Sequence, residues 1–524
     1  MGVITCTTRN AALATMVLTA ATMTVALPAA HAEPGCATGM FDFNGDGHKD
    51  VAVGEPGATV NGKAGAGLVE IRMRTDQGEV VRTVTAPAPR AGDHFGAAVG
   101  DVDLSTHDQE LSTCSSLVVG APGWDAGSDL DAGAVFVYPT LDATPLRLDQ
   151  NFNDEAPGTQ SSAHFGAVLT EQSTGNQGNQ LGRDPVFYAS APDYDLGVTA
   201  DAGVVQRITL TRAGDPAVAE VQTITGDSGF RGSAEKGDRF GAAMTGTPYP
   251  DELVVGAPGE SIGGATQAGE IWFWTPDVQS VQVINQNSSG IPGAAESGDG
   301  FGSSLFLGSE VAAAAKSRGH DVPVRLFVGT PREDIAAKPD AGGVVQVGYA
   351  PPAAPGQHGR IVTSGATFWT QDSSGVAGSA ESGDLFGATV ESLDLTTAGT
   401  PTFVAGAPGE DIGSIRDAGA VITLGGSRSY DQNAAGVPGS VESGDRFGGT
   451  LGSWRDIAVD LPHASVPPGP GTWSRGLLVG VPGEDSASGA VVSGLPHGSV
   501  SSGAQWLRGT GPGAGYGAAL SATR

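Results

Sequence analysis

Short apolar runs recur along the whole chain and stop at Gly-x-Pro turns: "DVAVGEP", "SLVVGAP", "VFYASAP", "ELVVGAP", "RLFVGTP", "TFVAGAP" and "GLLVGVP". Runs this short, rich in Val and bounded by Gly and Pro, predict strands. The turns begin at Gly54, Gly120, Ser190, Gly256, Gly329, Gly406 and Gly480, spaced 66 to 77 residues apart. An aromatic-Gly pair alternates with them, at Phe95, Phe165, Phe240, Phe301, Phe386, Phe447 and Tyr516. Each repeat resolves into four strand-like pieces. One opens at the aromatic-Gly pair ("FGAAV"), and one runs into the Gly-x-Pro turn. One follows an Ala-Gly signal ("DAGAVFVY", "QAGEIWFW"), and the fourth is more variable ("GEVVRTV"). Four short strands repeated seven times predict an all-β fold, a seven-bladed β-propeller of four-stranded blades.

The first repeat lacks an aromatic-Gly strand, and the C-terminal "GYGAALSATR" lacks a Gly-x-Pro strand. These two fragments complete one blade, so the ring is expected to close by pairing the N- and C-terminal segments, which removes exposed sheet edges. Helical periodicity is confined to residues 1–32. There a single Arg9, an apolar stretch from about Ala11 to Leu27 and the small-x-small Ala30-His31-Ala32 describe a secretory signal peptide. The stretch falls short of the roughly 20 apolar residues of a spanning helix. The expected organisation is a signal peptide over 1–32 and a propeller over 33–524, secreted, extracellular and monomeric, with no integral membrane segment after cleavage.

Composition narrows the partners. A net charge of −30 repels nucleic acid and anionic membranes and favours cations. The 82 Gly and 33 Pro suit many tight turns, and 39% hydrophobic residues suffice for a core, which excludes a disordered chain. Cys36 and Cys114 remain once Cys6 leaves with the signal peptide. In an exported chain this pair reads as one disulfide, with two free thiols as the alternative.

Phe-Gly and Gly-Ala-Pro motifs in seven repeats, with an Asp-rich loop between them, resemble the FG-GAP repeats of the integrin α-subunit propeller and of secreted bacterial integrin-like proteins. The resemblance covers essentially all of the chain after residue 32. In that family the loop between the first and second strands often reads Asp-x-(Asp/Asn)-x-Asp-Gly-x-x-Asp, and Asp42, Asn44, Asp46, Gly47 and Asp50 match it. Alternate oxygen-bearing side chains can converge on one Ca²⁺, with the His48 carbonyl as a further ligand. An EF-hand would need Glu where Val53 stands. The alternative is a solvated acidic turn. Asp101, Asp103 and Asp108 form a degenerate version without the Gly, a weaker candidate metal site.

Catalytic constellations fare poorly. "GDSG" at Gly226 aligns with "QNSSG" at Gln286 and "QDSSG" at Gln371, so Ser228 occupies an ordinary repeat position. His94 and His164 precede Phe-Gly where other repeats carry Arg, Gly or Leu, which marks them as surface variation rather than general bases. An acidic series in "E-x-G-D" (Glu235/Asp238, Glu296/Asp299, Glu381/Asp384, Glu442/Asp445) and another after Gly-x-Pro (Asp334, Asp411, Asp485) share the face opposite the Asp-rich loops. Turn capping is their simplest role. On the same face Trp124, beside Asp125, is either a ligand anchor or a filler of the gap between neighbouring blades. Together these features point to a calcium-stabilised binding or adhesion propeller for an extracellular protein or glycan, more a binder than an enzyme. The alternative is an extracellular hydrolase acting on phosphoesters or glycans through acidic residues and metal at the propeller centre.

Overall fold

The computed structural model describes residues 41–44, 50–75, 78–104, 115–151, 157–171, 184–211, 217–227, 233–249, 251–276, 280–308, 323–354, 356–393, 402–454, 476–493, 505–508 and 515–520. These form seven four-stranded antiparallel sheets arranged as the blades of a β-propeller. Blade 1 contains β1 (Val51–Glu55), β2 (Leu68–Thr75) and β3 (Gly78–Val84). Blade 2 is β4 (Ala98–Val102), β5 (Ser116–Ala121), β6 (Ala134–Tyr138) and β7 (Leu146–Leu148). Blade 3 is β8 (Leu169–Glu171), β9 (Val186–Ala191), β10 (Val204–Leu210) and β11 (Val218–Ile224). Blade 4 is β12 (Ala243–Gly246), β13 (Leu253–Ala257), β14 (Glu270–Trp274) and β15 (Gln282–Ile284). Blade 5 is β16 (Ser304–Leu307), β17 (Arg325–Thr330), β18 (Gly343–Ala350) and β19 (Arg360–Trp369). Blade 6 is β20 (Thr389–Leu393), β21 (Thr402–Ala407), β22 (Ala420–Leu424) and β23 (Ser429–Tyr430). Blade 7 is β24 (Thr450–Trp454), β25 (Gly476–Val481), β26 (Ala490–Ser493) and β27 (Gln505–Arg508).

The first strand of blade 1 comes from the other end of the chain. β28 (Ala519–Leu520) pairs antiparallel with β1, Val53 opposite Leu520 and Gly54 opposite Ala519, so one blade is stitched from both termini as the half-repeats require.

Each Gly-x-Pro strand is buried along most of its length, and each aromatic of the aromatic-Gly pairs is at most 2% exposed. These rings lie in the apolar layers between adjacent blades. Phe95, for example, packs edge-on against Phe136 and Tyr138 at 5.5 and 6.3 Å, within a cluster that joins Val69, Ile71 and Met73 of blade 1 to Leu117 and Val119 of blade 2. The glycines allow the blades to touch through their backbones. A Cβ at Gly54 would sit 2.0 Å from the Gly96 carbonyl oxygen, and one at Gly67 would sit 2.1 Å from that of Phe95. With no side chains in the way, the Phe95 N–H reaches the Ala66 carbonyl of the preceding blade at 3.2 Å, and the Tyr516 N–H reaches Ser488 at 3.1 Å to close the ring.

Tyr516 stands where the other six blades have Phe. Its hydroxyl donates to Glu70 Oε1 at 2.6 Å and accepts from Arg72 Nε at 3.3 Å, which ties the C-terminal strand to β2 by side chains as well as backbone. Two outcomes test the closure. Tyr516→Phe should lower the unfolding free energy by about 1.5 kcal/mol in urea titration, the worth of a hydrogen bond to a charged group. Truncation after Thr510 should leave blade 1 without its inner strand and give insoluble protein; a soluble product with an unchanged Tm would refute closure from both termini.

Candidate functional site

The Asp-rich loop leads into β1, and its described residues are 41–44 and 50. Its two ends fold onto each other: the Asp50 N–H donates to the Phe41 carbonyl at 2.5 Å, and Asp50 Oδ2 accepts from the Phe43 N–H at 2.8 Å. Asp42 and Asp50 are 5% and 1% exposed, two carboxylates held out of water at the mouth of one small loop, with Asn44 between them half-buried. Phe41 and Phe43 anchor that mouth, packed edge to face with centroids 6.1 Å apart. Buried carboxylates and an amide oxygen on a nine-residue loop suit a hard cation with oxygen ligands. Asp46 and His48 lie outside the described residues.

Blade 2 holds this loop from the side. Asp101 Oδ2 accepts from the Phe41 N–H and from the Ser115 hydroxyl, both at 2.8 Å. The Ser115 N–H donates to the Asp42 carbonyl at 3.0 Å, and the Asp42 N–H to Ser115 Oγ at 3.3 Å. Asp101, 3% exposed, thus acts as a bracket for the first loop. Asp103 is described, whereas Asp108 lies outside the described residues, as do Cys36 and Cys114.

A model of the FG-GAP repeat matches residues 38–69, the stretch that runs from this loop through β1 into β2. The Gly-x-Pro and aromatic-Gly positions recur in the other blades, outside the matched stretch. The matched repeat and the seven-bladed ring together fit an FG-GAP β-propeller. A comparison with curated proteins found no match.

The opposite face of the propeller carries the acidic series, and most of their Asp members cap turns. In five blades a carboxylate at most 2% exposed accepts the backbone N–H three residues earlier, at 2.5 to 2.6 Å: Asp93 from Arg90, Asp238 from Glu235, Asp299 from Glu296, Asp384 from Glu381 and Asp445 from Glu442. Asp125, Asp195, Asp334 and Asp411 cap the loops between second and third strands. Each accepts from the N–H of an Asp six residues on, at 2.9 to 3.1 Å. The donating residues, Asp131, Asp201, Asp340 and Asp417, adopt positive φ, a conformation Asp tolerates.

The alignment of repeats did not reveal a relay between blades. Gln286, Gln371 and Gln432, each just past a fourth strand, donate through Nε2 to Glu333, Glu410 and Glu484 of the following blade at 2.6, 2.5 and 2.7 Å. The signal was present as a recurrent Gln in "QNSSG", "QDSSG" and "QNAAG" and a recurrent Glu two residues beyond each Pro. Trp124 occupies that Glu position in blade 2. It is 7% exposed, packs edge-on against Phe136 at 5.3 Å and is covered by the Arg90 guanidinium 3.8 Å above its ring. It therefore fills the gap between blades 1 and 2, and the picture of a partly exposed anchor is corrected. Among the described residues, the large apolar side chains most exposed on this face are Leu130, 60% exposed, and the fully exposed Val198, at the tips of the loops of blades 2 and 3.

His164 Nδ1 lies 2.8 Å from Asp193 Oδ2, and Arg239 Nε lies 2.8 Å from Asp193 Oδ1, which makes Asp193 the centre of an ion-pair bridge from blade 3 to blade 4. The hydrogen bond to Asp193 pushes the His164 pKa up. Ser228 lies outside the described residues.

Burial, reinforced by the neighbouring carboxylates, pushes Asp299, Asp384 and Asp445 up to about 6 and Glu333 and Glu410 up to about 7. Around Glu410 these neighbours are Asp384, Glu381 and Asp411, against which only the Gln371 amide works. Groups whose folded pKa exceeds the unfolded value favour the native state at low pH, and that advantage is lost as pH rises through the folded pKa. In EDTA the Tm should fall between about pH 4.5 and 7.5, and Glu410→Gln should flatten the decline. A Tm that rises across this window would refute the assignment.

Proposed function

We propose that the chain is an exported, calcium-stabilised FG-GAP propeller that binds an extracellular protein or glycan. The observation that carries this reading is the rigid face built by the loops between second and third strands. Their bases are capped alike in blade after blade, while their tips differ, and two of those tips expose Leu130 and Val198 amid Asp125, Asp129, Asp131, Asp195 and Asp201. Fixed bases with variable tips are how a scaffold presents a recognition surface. Isolated apolar side chains ringed by carboxylates favour a partner with basic groups, or a glycan met through a bridging cation. Among the described residues no helix is long and apolar enough to cross a membrane.

Binding tests should be run with the purified chain on arrays of extracellular-matrix proteins and glycans in calcium-containing buffer. A hit should weaken at least tenfold in the double variant Leu130→Asp/Val198→Asp, with Tm within about 1 °C of the parent. An affinity that does not change, or that falls only together with Tm, would place recognition elsewhere. Trp124→Ala with Asp125→Ala should instead destabilise the protein, because Trp124 is a core residue and its truncation costs about 3–5 kcal/mol.

For calcium, Asp42, Asn44, Asp46 and Asp50 would supply side-chain oxygens and His48 its carbonyl. The ion would offset the repulsion of carboxylates gathered at the loop mouth. Chelation should then lower the Tm by mass action, and Asp46→Ala should abolish the response. A melting curve indifferent to EDTA would contradict the site. Asp42 and Ser115, which pair with each other, lie six residues after Cys36 and one residue after Cys114 in the sequence. A Cys36–Cys114 disulfide fits that approach and would add on the order of 2–4 kcal/mol. Thiol titration of the unfolded, unreduced protein should find none after residues 1–32 are removed, and two reactive thiols would exclude the bond.

A further inference from the structure

Blades 4 to 7 carry the same three acids in the same places: Glu235, Asp238 and Glu260; Glu296, Asp299 and Glu333; Glu381, Asp384 and Glu410; Glu442, Asp445 and Glu484. In blades 5, 6 and 7 the third acid is occupied by the Gln amide of the preceding blade. Blade 4 breaks the rule. The position after β11 that corresponds to Gln286, Gln371 and Gln432 is Gly226, so no amide reaches Glu260.

Among the described residues, only in blade 4 do three carboxylates converge, with one oxygen each of Glu235, Asp238 and Glu260 all within 4.8 Å of one another. Asp238 is 2% exposed. Its Oδ2 takes the Glu235 N–H at 2.5 Å, while its Oδ1 is buried and receives no backbone N–H, amide or cationic donor among the described residues, its side-chain neighbour being the Glu260 carboxyl group. No Lys or Arg among the described residues pairs with Asp238 or Glu260. A buried acceptor facing two further carboxylates, with neither amide nor cationic side chain among the described residues to answer it, is costly unless a cation or a proton joins the group.

We propose that Glu235, Asp238 and Glu260 bind a hard divalent cation, Ca²⁺, on the face opposite the Asp42 loop, in place of the amide that Gly226 cannot supply. Oxygens this close can share one ion at Ca–O distances of about 2.4 Å, and carboxylates of this number leave the remaining coordination to water and backbone oxygens. The ion would join the loop entering β12 to the loop leaving β13, as Gln286 joins blade 4 to blade 5.

Calorimetric titration of Ca²⁺ into EDTA-treated, dialysed protein tests this directly. In a background of Asp46→Ala, which takes out the first loop, the chain should still bind Ca²⁺, and adding Glu260→Gln should reduce the stoichiometry by one ion per chain. Gly226→Gln should do the same from the opposite direction. Gly226 has no positive φ, and a Cβ there meets nothing closer than 3.5 Å, so the residue accepts a side chain whose amide can engage Glu260. This variant should melt higher than wild type in EDTA and lose one calcium in the otherwise wild-type chain, so the test does not depend on Asp46→Ala folding. The proposal is overturned if Asp46→Ala protein takes up no Ca²⁺, or if neither Glu260→Gln nor Gly226→Gln changes the stoichiometry. A Tm that falls with rising pH, restored by Gly226→Gln but not by Ca²⁺, would assign a shared proton to the cluster and equally overturn it.

Discussion

Everything in this ring depends on backbones touching where one blade meets the next. The Gly54 Cα lies so close to the Gly96 carbonyl of blade 2 that a single added carbon would overlap it, and the same approach recurs at Gly120, Gly256, Gly329, Gly406 and Gly480. Close approach lets the N–H of each aromatic-Gly residue find a carbonyl on the preceding blade, so the blades are joined by hydrogen bonds and not only by apolar side chains. It also brings the aromatic rings into the gaps between sheets, where they are buried almost completely. The repeat motif is therefore a packing motif: the glycines make room and the aromatic fills what remains. Blade 3 shows the tolerance of the design. Ser190 replaces the Gly there, and its Cβ occupies the space that a side chain at Gly241 would need.

The two faces of the ring manage charge differently. On one, Asp42 and Asp50 are drawn into a loop whose neighbours are backbone amides and the Asp101–Ser115 bracket, an arrangement that concentrates negative charge. On the other, a ring of buried carboxylates is answered blade by blade with backbone N–H groups and Gln amides. That answering leaves the carboxylates with raised pKa values, since neutral donors offset burial only partly. A chain of net charge −30 thereby keeps many of its acids inside.

The fold was legible because its punctuation is backbone chemistry. Gly-x-Pro and aromatic-Gly pairs mark strand ends at fixed intervals, and the unmatched half-repeats at the two ends already specified the shared blade. Site details were less legible, since they depend on contacts between repeats. Nothing near Asp101 announces that it brackets Phe41, sixty residues away. The Gln-to-Glu relay left a recurrent Gln in three loops, visible only once the blades are known to be neighbours. Trp124 was ambiguous in sequence, because an aromatic beside Asp residues looks the same whether it faces solvent or Arg90. Its 7% exposure, the Phe136 ring against it and the Arg90 guanidinium 3.8 Å above it decide the matter.

Under the proposed function, cations at defined loops lock the propeller into a rigid ring. Hydrogen–deuterium exchange with and without Ca²⁺ measures that most directly. Calcium is expected to slow exchange in peptides spanning residues 38–55 and 112–121, where the first loop meets blade 2, and in 233–262 of blade 4. The outer strand β3, residues 78–84, should exchange alike in both states. Exchange that is insensitive to calcium throughout, or slowed equally in every blade, would contradict the account.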